Sequence, residues 1–297
     1  MKTFLTLLGI LFIQVLSAQE ASPKHKESIF ETIPFEFTKY NNIVIDAIVN
    51  DVDSVRLMFH TAADDVSLIK ESTKKLKSIN WNEKVGGVKS WGGSNGESRV
   101  SFNNTIKINK FQLDSLSIWV NKYSGHTTDG KFGPNFFGEK HIEINFDSSL
   151  MIIHNALPSK IEDFYKVPIK FENGFMFVEA TSIIGEKEIK NQYLIHSGYS
   201  GTILLDDNFV SENEIANQVE ITEENELLDS AGNVIIEKKG KLPKFIFGNE
   251  AFQDIPVGFF EGAIGRQKMS LIGGSILKRF NIIIDAEREN LYLQSIS

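Results

Sequence analysis

The sequence predicts an all-β chain made of two duplicated lobes, and three observations carry that reading. Strand-forming residues are abundant: Phe alone occurs 23 times, alongside many Ile and Val, against 5 Met and 3 Trp. An apolar run ending in a short polar signature occurs twice, as Leu57-Met58-Phe59-His60-Thr61-Ala62-Ala63 and Tyr193-Leu194-Ile195-His196-Ser197-Gly198-Tyr199. Each half then closes on a Gly-containing apolar segment and a strand-turn-strand. The first is Phe132 to Phe137 before Ile142 to Asp147; the second is Leu271 to Leu277 before Ile282 to Asp285. His60 and His196 lie 136 residues apart, and Gly133 and Gly273 lie 140 apart. A near-constant offset over several landmarks indicates internal duplication, with a period far too long for a solenoid.

Taken in order, Asn42 to Val49 is short and β-branched, and Asn50 to Asp53 is a turn cluster. Val55 to Phe59 runs apolar, as a strand entering a core does. Leu68 to Leu76 has helical spacing with Lys on its outer face. Val88 to Trp91, the Gly-rich tip from Gly92 to Gly96 and a strand from Ser98 to Phe102 form a hairpin. Separate strands follow around Ile106 to Ile108 and Leu116 to Val120. The second half repeats this order: Gly174 to Ala180, a turn at Ile184 to Lys187, Gln192 to Ile195, and a hairpin tip at Asp229 to Asn233. Strands at Lys244 to Phe247 and Ile255 to Phe260, and a last hairpin over 281–294, complete it. The lobes are expected at 19–157 and 158–297, divided near Pro158 and its cluster of charges.

Residues 1–18 read as a signal peptide. Lys2 supplies the positive end, Phe4 to Val15 the apolar stretch, and Ser17-Ala18 the small residues before cleavage. Twelve apolar residues are too few to span a bilayer, so no membrane association is expected after cleavage. Export to the periplasm or the medium follows. Residues 19–28 read as a polar lead-in. Cys is absent, which excludes disulfides, thiol nucleophiles and thiolate metal sites. Without Lys2 the chain carries 30 basic and 39 acidic residues, a net −9. That charge gives no attraction for nucleic acid. The acidic stretch from Glu212 to Asp229 reads as a solvated loop or helix face.

The landmarks resemble the retropepsin-like and pepsin-like aspartic peptidases, the bacterial exported kind in particular, over residues 30–297. The resemblance implies a bilobal fold in which each lobe carries a strand ending in Asp-Thr/Ser-Gly. It also implies a flap hairpin and an apolar-Gly segment threaded behind the active loop. Carried over by position, His60 and His196 stand where the two catalytic Asp belong. Thr61 and Ser197 match the hydroxyl residues that cross-link the active loops. Gly198 matches the family glycine and Ala62 departs from it. Trp91, Gly92 and Gly93 resemble the flap tip that closes over substrate.

Aspartic peptidases need two carboxyls sharing one proton, one acting as base towards water and the other as acid. Imidazoles are neutral or positive and never negative, so the usual chemistry does not carry over. The expected function is binding of a peptide or protein by a catalytically degenerate, monomeric homologue without a cofactor. Three alternatives accompany it: an active hydrolase using the His60/His196 pair, a metal held by that pair with Asp64 or Asp65 as a further ligand, and a structural partner with no ligand. His25, His126, His141 and His154 show no ligand spacing and read as surface or strand residues.

Overall fold

A computed structural model describes residues 29–81, 83–89, 95–121, 125–228, 234–261 and 267–296. The signal segment, the polar lead-in, and both hairpin tips (Trp91, Gly92 and Gly93 at one, 229–233 at the other) lie outside the described residues.

The first half contains eleven strands: β1 (Ile29–Pro34), β2 (Glu36–Phe37), β3 (Ile43–Val49), β4 (Asp53–Phe59), β5 (Val66–Ile69), β6 (Glu83–Lys89), β7 (Asn95–Ile108), β8 (Phe111–Asn121), β9 (Gly130–Phe132), β10 (His141–Asn145) and β11 (Leu150–His154). The second contains ten: β12 (Tyr165–Glu172), β13 (Phe175–Ile184), β14 (Lys187–His196), β15 (Ile203–Leu204), β16 (Glu220–Leu228), β17 (Val234–Phe247), β18 (Glu250–Glu261), β19 (Ser270–Gly273), β20 (Phe280–Ile284) and β21 (Asn290–Ser295).

The duplication is exact in its pairing scheme. Strand β4 lies antiparallel to β3 and parallel to β9; β14 lies antiparallel to β13 and parallel to β19. Strand β5 is antiparallel to β9 and parallel to β8, as β15 is to β19 and β18. Each sheet closes on itself by the matching contact, β3 with β7 and β13 with β17. The halves meet in a floor of six strands ordered β1-β11-β10-β20-β21-β12. At its centre Ile142, Glu143 and Ile144 face Ile284, Ile283 and Ile282. A pseudo-dyad therefore passes between Glu143 and its own equivalent, Ile283. One apolar core runs through both lobes and the floor.

Local sequence accounts for how the two central strands end. Leu57, Met58 and Phe59 are all buried, as are Tyr193, Leu194 and Ile195. Strands covered on both faces lose the alternation of half-buried ones. Behind each strand end, a glycine lets the parallel partner approach. A Cβ on Gly133 would lie 1.6 Å from the Ala63 carbonyl oxygen, and one on Gly273 would lie 2.3 Å from that of Gly201. Only hydrogen fits at either place.

Three expectations change. The helix over 68–76 reduces to Lys70–Thr73, because Leu68 and Ile69 are paired in β5. The strands at 98–102 and 106–108 are one strand, β7, with irregular register against β8 between Ser101 and Ile106. While Glu212 ends a helix and Ile215–Gln218 forms another, half of the acidic stretch is neither loop nor helix but strand β16. Its Glu223 and Glu224 pair with Lys239 (3.1 Å) and Lys238 (3.5 Å) across the hairpin. His141 and His154 lie in strands, as one of the two readings had it, and are buried.

His154 belongs to the floor. Its Nε2 is 2.9 Å from Glu143, a carboxylate with no exposed surface, and Lys160 Nζ donates to the same group at 2.6 Å. Burial pushes the Glu143 carboxyl up, but the hydrogen bonds from His154 and Lys160 outweigh it and hold the group below its ordinary range.

Gly133→Ala drives a methyl into the Ala63 backbone, and a backbone carbonyl cannot rotate aside as the end of a flexible side chain can. The substitution is expected to cost more than about 3 kcal/mol or to abolish cooperative folding. Gly86→Ala, where nothing lies within 4 Å of the new atom, is expected to change stability by less than about 0.5 kcal/mol. Urea melts of the two variants check both.

Candidate functional site

Strands β4 and β14 deliver two short loops to the pseudo-dyad, and a reciprocal set of hydrogen bonds ties these together. The Thr61 hydroxyl donates to the Ile195 carbonyl at 2.6 Å and accepts from the Ser197 amide at 3.0 Å. The Ser197 hydroxyl donates to the Phe59 carbonyl at 2.7 Å and accepts from the Thr61 amide at 3.0 Å. Both side chains are 3% exposed, so each bond is made away from water. Two asparagines add to the link: Asn42 donates to the Ser197 carbonyl (3.0 Å) and Asn41 to that of Ser200 (2.9 Å). Neither asparagine stood out in the sequence.

The cross-link sets His60 and His196 ring to ring. Their centroids are 4.5 Å apart and the planes meet at 64°. Such an edge-to-face contact leaves no gap for a water between the rings. The two imidazoles are not equivalent. The Cδ2–Nε2 edge of His60 lies over Gly198, where a Cβ would fall 2.3 Å from Cδ2 and 2.5 Å from Nε2. At the matching position of the other loop, Ala62 has a methyl, and that side chain packs against an apolar cluster instead. The Ala62 amide donates to His60 Nδ1 at 3.2 Å, which puts the proton of a neutral His60 on Nε2. His196 Nδ1 is buried with no hydrogen-bond partner among the described residues.

Both imidazoles are held neutral. Burial, then His196 and Lys131, push His60 well below its usual value. Burial, with a contribution from Lys131, pushes His196 down to about 4. Lys131 was not singled out from the sequence. A signal was there: it interrupts an apolar segment whose counterpart, 140 residues on, is Leu271.

No group of three His, Asp, Glu or Cys able to hold a metal occurs among the described residues. Asp64 and Asp65 are both exposed. Asp64 lies beside Gly174, where a Cβ would be 2.7 Å from its Oδ1. Burial and the neighbouring Asp65 raise its carboxyl pKa. His126 is exposed and stacks on Tyr40 at 4.0 Å.

The chain is similar to a solved structure, the crystal structure of aspartic proteinase from Irpex lacteus. The TM-score is 0.59, and the match covers 90% of this chain and 97% of that one at 14% identity. The fold is pepsin-like. No family model matches the chain, and no curated protein matches it in sequence. At that identity the likeness is one of architecture, and it agrees with the bilobal all-β reading. No helix among the described residues is long and apolar enough to cross a membrane.

Two outcomes follow. Thr61→Val removes an acceptor and a donor at once, leaving the Ser197 amide and Ile195 carbonyl buried and unpaired. A cost of about 2–4 kcal/mol is expected, with a similar cost for Ser197→Ala. Because the two hydroxyls act on the same loops, the double variant should fall short of the sum by at least about 1 kcal/mol, measured by a double-mutant cycle in urea.

The second concerns pH. In the unfolded chain His196 regains a pKa near 6.5, so below that pH the unfolded state binds more protons than the folded one. Stability is complete above pH 6.5 and falls as pH drops towards the folded value of about 4. For His196 the loss amounts to about 3 kcal/mol. Urea midpoints across this window should fall less steeply in His196→Asn, and parallel profiles for the two proteins would contradict the assignment.

Proposed function

We propose that this chain is an exported pepsin-like protein that holds an extended peptide between its lobes and does not cleave it. The observation carrying this reading is the ring contact between His60 and His196 at the pseudo-dyad, with both imidazoles held neutral. Aspartic-type hydrolysis needs a carboxylate to activate water and a carboxylic acid to protonate the substrate carbonyl. Here neither group is present, and the rings occupy the space between the loops. A base whose pKa is about 4, without an acid partner at neutral pH, does not supply the two complementary proton transfers.

The scaffold keeps what binding requires. The loops remain cross-linked, and the pepsin-like fold provides two lobes between which an extended chain lies. Backbone hydrogen bonds then give affinity and side-chain pockets give selectivity. Residues 60–62 and 196–198 form the base of this binding region, and Trp91, Gly92 and Gly93 are assigned to ligand contact by their resemblance to a flap tip. The lobes extend over 19–157 and 158–297. The protein acts as a monomer after removal of residues 1–18, in the periplasm or outside the cell.

The purified protein is incubated with a broad peptide library from pH 3 to 8, with binding and cleavage followed in parallel. The expected result is saturable binding without turnover. Cleavage that disappears in both His60→Ala and His196→Ala would overturn the proposal and establish an imidazole-based hydrolase.

A further inference from the structure

Among the described residues Lys131 is the one cation that acts on both imidazoles, and its setting points to a ligand. Strand β9 buries Gly130 and Phe132, and the two-residue period turns Lys131 to the opposite face, where it is half-buried. Its backbone is in register with Met58 of β4, two residues before His60. The ammonium lies within electrostatic reach of His60 and His196 together and lowers the pKa of each.

That ammonium has no hydrogen-bond acceptor and no carboxylate partner among the described residues. Burial is the single influence on its own pKa, which is lowered. A desolvated cation without a partner is unfavourable. The fold tolerates one here, beside two neutral rings and an unsatisfied His196 Nδ1. The carboxylates that would neutralise it in an acidic dyad are replaced by groups that carry no charge. Asp64, close in sequence to His60, lies instead beside Gly174.

The other side of the pseudo-dyad differs in kind. The equivalent of Lys131 is Leu271, in register with Leu194. Both belong to an apolar cluster with Leu204 and Phe260, against which Phe175, Phe177 and Ala62 pack. The site thus places a cation on one flank and an apolar surface on the other.

We propose that Lys131 is a carboxylate-recognition residue and that the ligand is an acidic peptide. Its carboxylate sits at the Lys131 ammonium and an adjoining apolar side chain lies towards the Leu271 flank. This rests on the peptide-binding reading above and specifies its ligand. The carboxylate has two possible sources, an Asp or Glu side chain or a free C-terminus, and the recognition chemistry is common to both.

The probes are pools of N-acetylated octapeptides, randomised except at the fourth position. Two C-amidated pools carry Glu or Gln there, and a third carries Gln with a free C-terminus. Binding is measured by calorimetry. Wild type is expected to bind one of the carboxylate-bearing pools about tenfold tighter than the amidated Gln pool, as a charge-assisted hydrogen bond to a lysine supplies. Preference for the Glu pool assigns a side-chain carboxylate, and preference for the free-ended pool assigns the C-terminus.

Lys131→Met should abolish the preference for carboxylate over amide, and Lys131→Arg should retain it. A wild-type preference below about threefold overturns the proposal, as does a preference that survives in a folded Lys131→Met. In those cases peptide binding itself still stands. If no pool binds, both readings fall. Thermal melting establishes that Lys131→Met folds; should it not, the wild-type ratio decides alone.

Discussion

The reciprocal hydroxyl exchange between Thr61 and Ser197 is the constraint on which the site depends. Four hydrogen bonds, all buried, fix two loops from different lobes to one another. Their geometry leaves one relative placement of the residues just before them, and His60 and His196 are those residues. The threading glycines serve the same end, since Gly133 and Gly273 permit the strands behind the loops to come close enough to hold them. Ring contact between the histidines is thus a consequence of loop architecture and not of any attraction between imidazoles.

Placing imidazoles there inverts the electrostatics of the fold. Two close carboxyls share a proton because both cannot ionise. Two buried imidazoles avoid the conflict by remaining neutral, at the cost of depressed pKa values. The state of the dyad decides what Lys131 can do: beside a negative dyad it would form an ion pair, and beside neutral rings its charge is left for something else. Glu143 shows the opposite solution. It is also an ionised group at a buried place, but His154 and Lys160 satisfy it from within the chain. The contrast between a carboxylate paired internally and an ammonium left unpaired is the basis for proposing a recognition role for Lys131 and a structural one for Glu143.

Much of this was legible in the sequence, because duplication leaves marks at fixed offsets. The repeated apolar strand with its polar end and the repeated glycine segment located both loops and both threaded strands. The pepsin-like arrangement came from resemblance to a known family and agrees with the comparison to solved structures. The misses have physical causes. Strand β7 read as two segments because Asn103, at positive φ, and Asn104 break the alternation where the register slips. Leu68 fits a helical face and a strand face equally, and pairing with β8 decided for the strand. Asn41 and Asn42 did not stand out because their partners are 155 or more residues away. Lys131 and Glu143 were overlooked for one shared reason. Each is a charge inside an apolar segment, and its meaning emerges only beside its apolar counterpart in the other lobe.

That comparison between lobes explains why the site is asymmetric although the fold is not. The pseudo-dyad relates Ala62 to Gly198, Lys131 to Leu271 and Glu143 to Ile283. The first pair distinguishes the two rings. His60 sets one edge against Gly198, which has no side chain, whereas Ala62 carries a methyl at the matching position. His196 leaves Nδ1 unpaired, where His60 Nδ1 accepts from the Ala62 amide. The second pair gives one flank a charge and the other an apolar surface. A symmetric dyad treats both sides of a bound peptide alike, whereas a site polarised in this way gives the peptide a direction. Loss of symmetry at three related positions, with the pairing scheme of the lobes retained, fits a scaffold whose demands have moved from proton transfer to orientation of a ligand.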